Sequence, residues 1–584
     1  MHDGVRGDRA SSPPLRAGKS RMGIAENSPT SFLGGSRIAR GGTAALRFLA
    51  DTPASVATAG FILLLPSIVW NLRDVHVWPW DHAYYAEVAL EIAYAMRESP
   101  LAWFSALLAV SDSRAPLLPW LAQAVMPLAD VVGRPEPALL MTNVAAGAIT
   151  LWLVFSATRR MGGSRAVGLL AMLACAAASD TIAFNQQFLV ECVQAMSVAG
   201  LAWIALSTNR LSLPRLAAGM IFWITLALLA KTTSVGYVAP FLVYAGIVRA
   251  AAIGSGRAAA PRDVLLLIGA VAIAGMAAAW YAMHWSPVLA HVKEATSGEI
   301  ALLYGSHGPL FAKAQFWLWA LEQGLAPFQW LAELLLGIIA VAVAISVMRL
   351  PWSRPLRLLP AAIESRLLFA LCLAGTILAV MLACSLSIVQ DVRFLAALVP
   401  LVALLLSWSL LVIRRRWFGT GLALLLAANW LVNHAMTQGL IPMPQFALGY
   451  LHPVGNDDRS VERLARAVRE GCDRNNATRV NVIGAEYPDF NTVSASFYAE
   501  KMRRAAGYRC HYDSLGYAQN DIDEALRKLS KIDPDFVITL PRSELIDDMF
   551  NHLSGPVADW LATSPDFARV TPEGDTLVIY RRRR

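Results

Sequence analysis

From about residue 55 to 440 the chain alternates long apolar runs with short charged or polar turns. Runs such as Val264 to Tyr281, Leu331 to Met348, Leu395 to Ile413 and Gly419 to Val432 are each roughly the length that crosses a bilayer as a helix. The pattern predicts eleven spans, near 56–72, 138–157, 165–183, 188–206, 215–230, 234–248, 263–281, 328–348, 367–388, 394–413 and 417–437. Pro116 to Ala129 is also apolar, but counting it as a crossing would carry Arg159 to Arg165 to the outside, so it reads as short or re-entrant. Leu310 to Phe328 has the same character, and counting both gives thirteen crossings. Either odd number leaves the two ends of the chain on opposite sides.

Arginine and lysine fix the orientation. Residues 1–52 carry Arg6, Arg9, Arg16, Lys19, Arg21, Arg37, Arg40 and Arg47, with no apolar period and no apolar core of a signal peptide, so they read as a disordered cytoplasmic tail. Further basic clusters at 159–165, 209–215, 249–262, 349–366 and 414–416 mark cytoplasmic turns by the positive-inside rule. The membrane domain then covers 53–439. Its outer loop, 73–115, contains an apolar stripe of Tyr84, Val88, Ile92 and Ala95, as for a helix lying at the interface. Trp78, Trp80, Trp103 and Trp120 fit an aromatic belt.

From residue 440 to 584 the periodicity changes. Strands are predicted at 479–483, 509–512, 535–540 and 576–580, and helices at 460–470, 492–505 and 521–529. The alternation predicts a small soluble α/β domain, outside the cytoplasm by the parity of the spans. No glycine-rich phosphate fingerprint follows its strands, so nucleotide binding has no support.

Composition agrees with a polytopic α-helical membrane protein. The 584 residues are 56% hydrophobic and 16% charged, against about one-quarter charged in an average soluble domain. The net charge of +8 sits largely beside the spans and calls for no nucleic acid. Of six cysteines, Cys175, Cys192, Cys372 and Cys384 lie in or beside apolar runs. Cys472 and Cys510 lie in the polar domain, where a disulfide and a free pair are both compatible with their spacing.

The chemistry gathers at span ends that the derived topology opens on one side. Ionisable groups at a bilayer are costly and mark functional sites. Asp81, in Trp80-Asp81-His82-Ala83-Tyr84-Tyr85, suits a general base at the mouth of a cavity or an N-cap of the following helix. Arg114, in Arg114-Ala115-Pro116, can hold a phosphate or snorkel to headgroups. Glu191 is an acid one turn inside a span. Lys231, in a turn between spans, invites an anionic ligand or a headgroup. Arg393-Phe394 leads into a span with Pro400, and Asp391 and Arg393 can pair with each other. No metal-ligand cluster is visible, and no cofactor is called for.

In this order and spacing the motifs resemble the C-type superfamily of membrane glycosyltransferases. The similarity is to the branch of dolichyl-phosphate-mannose–protein mannosyltransferases and the lipid A aminoarabinose transferase. Asp81 matches the first outer acid and Glu191 the second. Arg114-Ala115-Pro116 matches a Lys-Pro-Pro-like motif, Lys231 a lysine turn and Arg393-Phe394 a late Arg-aromatic pair. Trp280-Tyr281 is similar to the family's Pro-Trp-Tyr span exit. His82 stands where the family often has Glu. The resemblance implies inverting transfer of a sugar from a polyprenyl-phosphate carrier to an envelope lipid, glycan or protein at the outer face of an inner (cytoplasmic) membrane. Asp81 would act as base and Glu191 as orienting acid. Arg114, Lys231 and Arg393 would hold the phosphate, with Tyr85 and His82 binding substrate. A transporter or flippase of a lipid-linked or anionic substrate, or a non-catalytic assembly subunit, would use a similar pattern.

Overall fold

A computed structural model describes residues 53–584, apart from 112, 252–258, 299–300, 303–304, 350–364, 444–450, 456–457, 473–479, 507–509, 516–520, 549 and 584. The basic tail of residues 1–52 lies outside the described residues, as do parts of the basic stretches at 249–262 and 349–366.

Each predicted span is built from helix, but not every span is a simple rod. Among the described residues, eight helical segments are long and apolar enough to cross a bilayer: Pro53–Arg73, Pro135–Arg160, Leu213–Ala230, Thr232–Ala251, Pro261–Ser297, Gln329–Met348, Arg366–Leu386 and Val392–Ile413. The protein is an integral membrane protein. The stretch predicted as a span at 165–183 is instead a pair, Arg165–Ala176 and Ser179–Asn185, bent by 67°. The span predicted at 188–206 shortens to Glu191–Ala205, 15 residues, because the backbone before it is loop. Arg416–Thr437 is a full 22-residue helix, but polar residues such as Asn429, Asn433 and His434 are buried along it. The ambiguous stretch at 116–129 forms two short helices, Leu117–Ala122 and Pro127–Val132, as a re-entrant reading expects. Leu310–Leu325 is a helix of 16 residues.

Local sequence explains the ends that shape the site. Pro400 sits at the start of the Val399–Ile413 helix, where its missing N–H leaves no intrahelical bond unmade, and a 3-10 turn at 392–398 precedes it. Lys231 breaks the chain between Leu213–Ala230 and the Thr232–Ser234 turn with extended φ, −159°. That break turns its side chain out of helical register.

The loop after the first span, 73–115, folds into Trp80–Glu98 and Pro100–Ala109. The C-terminal domain carries a five-stranded sheet: β1 (Val480–Ile483), β2 (His511–Ser514), β3 (Phe536–Thr539), β4 (Phe567–Arg569) and β5 (Val578–Arg582), in the order β2-β1-β3-β5-β4. The first three are parallel and β5 is antiparallel to β3, with Val482 opposite Val537 and Ile538 opposite Ile579. The last strand begins two residues later than predicted, and β4 and the Ser554–Thr563 helix were not anticipated.

Period-two alternation divides this sheet between two cores. Val482, Val537, Val578 and Tyr580 face Leu529 and Leu561. Ile483, Ile538 and Ile579 face the other way, into a core that also contains Phe497, Leu464, Trp78 and Tyr85. One face of the sheet is therefore continuous with the packing of the 73–115 loop. Trp78 is the joint: it stacks between Phe188 and Phe497, centroids 5.8 and 5.5 Å away, and its carbonyl accepts from Ser494 Oγ at 2.6 Å. Asp74 Oδ1 adds a bond from Gly455 N at 2.8 Å. Cys472 and Cys510 form a disulfide in this domain.

Candidate active site

The five charged motifs, scattered over more than 300 residues, meet at one place. Asp81 lies in the first turn of Trp80–Glu98, but Pro79 occupies the capping position and no side chain caps that end. The N-cap alternative for Asp81 is thereby removed. Its carboxylate instead takes Arg114 Nη1 on one oxygen and Arg393 Nη1, at 2.9 Å, on the other. Arg114 does not snorkel. It turns inward, with the Tyr84 ring centroid 4.5 Å from its guanidinium, and its carbonyl is held by Ser111 Oγ at 2.6 Å.

Arg393 bridges two acids. Its Nε meets Asp391 Oδ2 at 2.8 Å, while Asp391 Oδ1 accepts the Arg393 backbone N–H at 3.1 Å. The pairing of Asp391 with Arg393 and the clamp on Asp81 therefore coexist. The next residue, Phe394, carries the network onward: Lys231 Nζ sits 4.5 Å from its ring centroid. Lys231 also bonds Glu191 Oε1 at 2.8 Å.

Glu191 opens its helix rather than lying a turn inside it, as the sequence suggested. An acid at a helix N-terminus is favoured by the dipole and the free N–H groups. It is 1% exposed, and its Oε2 has no hydrogen-bond partner among the described residues. The loop in front of it is fixed by Asn143, whose Nδ2 donates to the carbonyls of Phe184, Gln187 and Leu189 at 2.9, 2.6 and 3.2 Å. The Lys231 turn is fixed from two sides, by Gln194 Nε2 donating to Ser234 Oγ at 3.0 Å and Tyr281 OH donating to Leu228 O at 2.7 Å.

Electrostatics sets the protonation of the rim. Burial alone would raise the Asp81 carboxyl, but the Arg114 and Arg393 guanidiniums outweigh it and hold Asp81 well below the usual carboxylate range. Burial, with the cationic neighbourhood of His76 and Arg393, holds His82 well below its ordinary value, so its imidazole is neutral. Burial pushes the Tyr85 phenol up, leaving it a hydroxyl donor. Both belong to the same helix as Asp81, and both are buried.

No family model matches the chain, and no curated protein sequence does. Solved structures do. The lipid A aminoarabinose transferase ArnT from Cupriavidus metallidurans, bound to undecaprenyl phosphate, superposes with a TM-score of 0.55 at 14% identity, covering 91% of this chain and 98% of that one. Its apo form gives 0.54 at 13%, covering 90% and 97%. The fold is that of the C-type membrane glycosyltransferases. At such identity the likeness concerns the frame. The site rests on the geometry above.

Within the C-type frame two groups had been missed. Asp180, 5% exposed at the bend of the broken span, lies within electrostatic reach of Glu191 and Asp391. Gly324 packs so closely on it that a Cβ there would sit 2.4 Å from its Oδ2. A lone acid in the apolar run 165–183 was the available signal, since such acids are costly inside membranes. Asn143, by contrast, gives no signal in sequence, because its role is to bond three distant carbonyls.

Proposed function

We propose that the protein moves a sugar from a polyprenyl-phosphate carrier to an envelope lipid, glycan or protein acceptor, at the outer face of an inner membrane and with inversion. One observation carries this reading: Asp81, Arg114, Glu191, Lys231 and Arg393 converge from five separate segments into a network of two acids and three cations. The neighbour of the same fold that holds undecaprenyl phosphate supports the identity of the carrier.

The geometry suggests how the base is released. In the structure both oxygens of Asp81 are held by guanidiniums, and a carboxylate so stabilised is a weak base. A lipid-linked phosphate docking between Arg114 and Arg393 competes for the same donors. As they turn to phosphate, Asp81 loses its stabilising partners and gains proton affinity. The acceptor oxygen then attacks the anomeric carbon from the face opposite the phosphate. Its proton passes to Asp81, the carbon–oxygen bond to phosphate breaks, and the lipid phosphate leaves. Charge growing on that phosphate is met by Arg114, Arg393 and Lys231, already in place. The buried free oxygen of Glu191 accepts a hydroxyl of sugar or acceptor, and the Tyr85 hydroxyl and neutral His82 line the approach.

Mass spectrometry of lipids and envelope glycans from cells with and without the protein tests the reading. A glycan or lipid lacking one sugar, with its lipid-linked donor accumulating on the outer leaflet, is the expected result. Accumulation on the inner leaflet instead would mark a flippase. The side is checked by labelling single cysteines: positions at 159–165 and 414–416 should react from the cytoplasm and positions in 451–583 from outside.

A further inference from the structure

The Trp80–Glu98 helix carries Asp81 at one end and walls a cleft at the other, which the charged network does not use. The cleft measures about 250 Å³ and lies between that helix, the Pro100–Ala109 helix and the short helices of 117–132. Leu90, Ala93, Met96, Trp103, Met126 and Pro127 supply its apolar wall. An apolar cavity of ~150 Å³ takes up a molecule the size of benzene, so this one has room for a stretch of hydrocarbon chain. Met96 and Met126 are unbranched and adaptable, which suits a flexible occupant.

The walls are pre-formed. Gln123 Nε2 donates to Ala89 O at 3.1 Å and to Pro119 O at 2.9 Å, tying the 117–132 segment to the Trp80–Glu98 helix. Trp103 packs with Val88, Ile92 and Leu107 in a cluster that also takes in Tyr84, whose ring faces Arg114. The cleft is therefore built into the same packing that holds one of the site's guanidiniums.

The residues next to the lining are apolar and open. Leu101 and Phe104 flank Trp103, Leu128 follows Pro127 and Val131 follows Asp130; all four are exposed, Leu101 by 76% and Val131 by 83%. In an integral membrane protein such a surface is met by lipid. Two charges stand among these side chains. Arg97 Nη2 bonds Asp130 Oδ1 at 3.2 Å, and both side chains are more than half exposed. An exposed pair contributes little to stability, so it opens at small cost. A cation beside an anion over a chain-sized slot matches a headgroup that is itself a phosphate beside an ammonium, with the guanidinium taking the phosphate. A purely anionic headgroup would instead leave Asp130 against a like charge.

The lipid-linked donor is a poorer match. Arg97 lies sixteen residues past Asp81 on the same helix, ~24 Å away at 1.5 Å per residue, so a phosphate on Arg97 is out of reach of the Asp81 network. We propose that the cleft seats one acyl chain of a zwitterionic bilayer phospholipid, phosphatidylethanolamine in chemistry, with its phosphate on Arg97 and its ammonium on Asp130. The lipid wedges the Trp80–Glu98 helix against the 117–132 segment. Its binding does not rest on the glycosyl-transfer reading.

The test uses delipidated full-length protein in detergent micelles, mixed with equal amounts of dioleoyl phosphatidylethanolamine and dioleoyl phosphatidylglycerol, with bound lipid counted by native mass spectrometry. Phosphatidylethanolamine should be retained roughly tenfold over phosphatidylglycerol, the discrimination that one charge-assisted hydrogen bond supplies. Asp130→Asn, a change at an exposed position, should bring the two lipids to equal retention. Ala93→Phe, which fills the slot, should lose the lipid, and Arg114→Ala should keep it. Equal retention by the wild type, an unchanged signal in either cleft variant, or loss in Arg114→Ala would each overturn the site. Displacement of the lipid by added undecaprenyl phosphate would overturn it as well, by giving the cleft to the donor's chain. Retention in a protein without transferase activity would remove the proposed function and leave the cleft.

Discussion

One helix, Trp80–Glu98, carries acids in opposite states. Asp81 at its start is clamped by two guanidiniums and held anionic. Two turns on, Glu87 and Glu91 face Glu500 from the C-terminal domain. Burial, then the like charges of Glu91 and Glu500, raise Glu87 well above its ordinary value, and burial with Glu500 pushes Glu91 up to about 7 despite Arg503. Both ends carry carboxyl side chains on the same helix. The difference is who arrives from elsewhere: Arg114 and Arg393 at one end, the Thr492–Ala506 helix of the C-terminal domain at the other. The anionic end suits phosphate and proton chemistry, while the second end behaves as a packed joint whose charge is a liability.

Asp81→Asn cuts this contrast at its sharpest point and carries the largest expected effect. It should leave a folded, membrane-inserted protein that still binds the polyprenyl-phosphate donor but transfers about 10²–10⁴-fold more slowly. Near-normal transfer in single-turnover assays would strip Asp81 of its role as base and move that role to Glu191. Arg393→Ala follows, because it removes charge-assisted bonds to Asp81 and to the incoming phosphate. Donor affinity, measured by titration with undecaprenyl phosphate, should fall roughly 10–100-fold. An unchanged affinity would mean that the guanidinium only positions Asp81.

Stability effects come next. Lys231→Ala leaves Glu191 buried without its cation, which costs about 3–5 kcal/mol when a buried pair is broken. Adding Glu191→Gln should recover much of the lost Tm but not transfer. Recovery of transfer as well would show that neither residue touches substrate.

The smallest effect tests the joint. A carboxyl whose folded pKa is raised adds stability while it stays protonated. Glu91's contribution is therefore full below its ordinary value near 4.5 and is lost as pH rises through about 7. Glu91→Gln should raise the Tm by a few degrees at pH 8 and by nothing measurable at pH 4.5. A gain of equal size at both pH values would assign the effect to packing rather than charge.

The membrane frame was legible because hydropathy and basic turns report directly on a strong, local penalty: the apolar runs and the charges at their ends are visible one residue at a time. The broken span at 165–185 was less so, since nothing in the run 176–179 forces a 67° bend. Its acid, Asp180, was overlooked among apolar neighbours. In the C-terminal domain the run 479–483 signalled a strand, but not that one of its faces would be shared with Trp78 and Tyr85.

The sequence by itself thus determined which residues must be helical, which ends carry charge and that these ends share a side, because the bilayer imposes those rules on any chain. Only the tertiary structure decided that Arg393 crosses 312 positions to reach Asp81, that Phe394 joins this clamp to Lys231 and Glu191, and that Trp80 stands beside Phe550 of the C-terminal domain. Such pairings depend on the packing of elements distant in the chain, and the free energy of an acid is set by whichever partner that packing brings within a few ångströms.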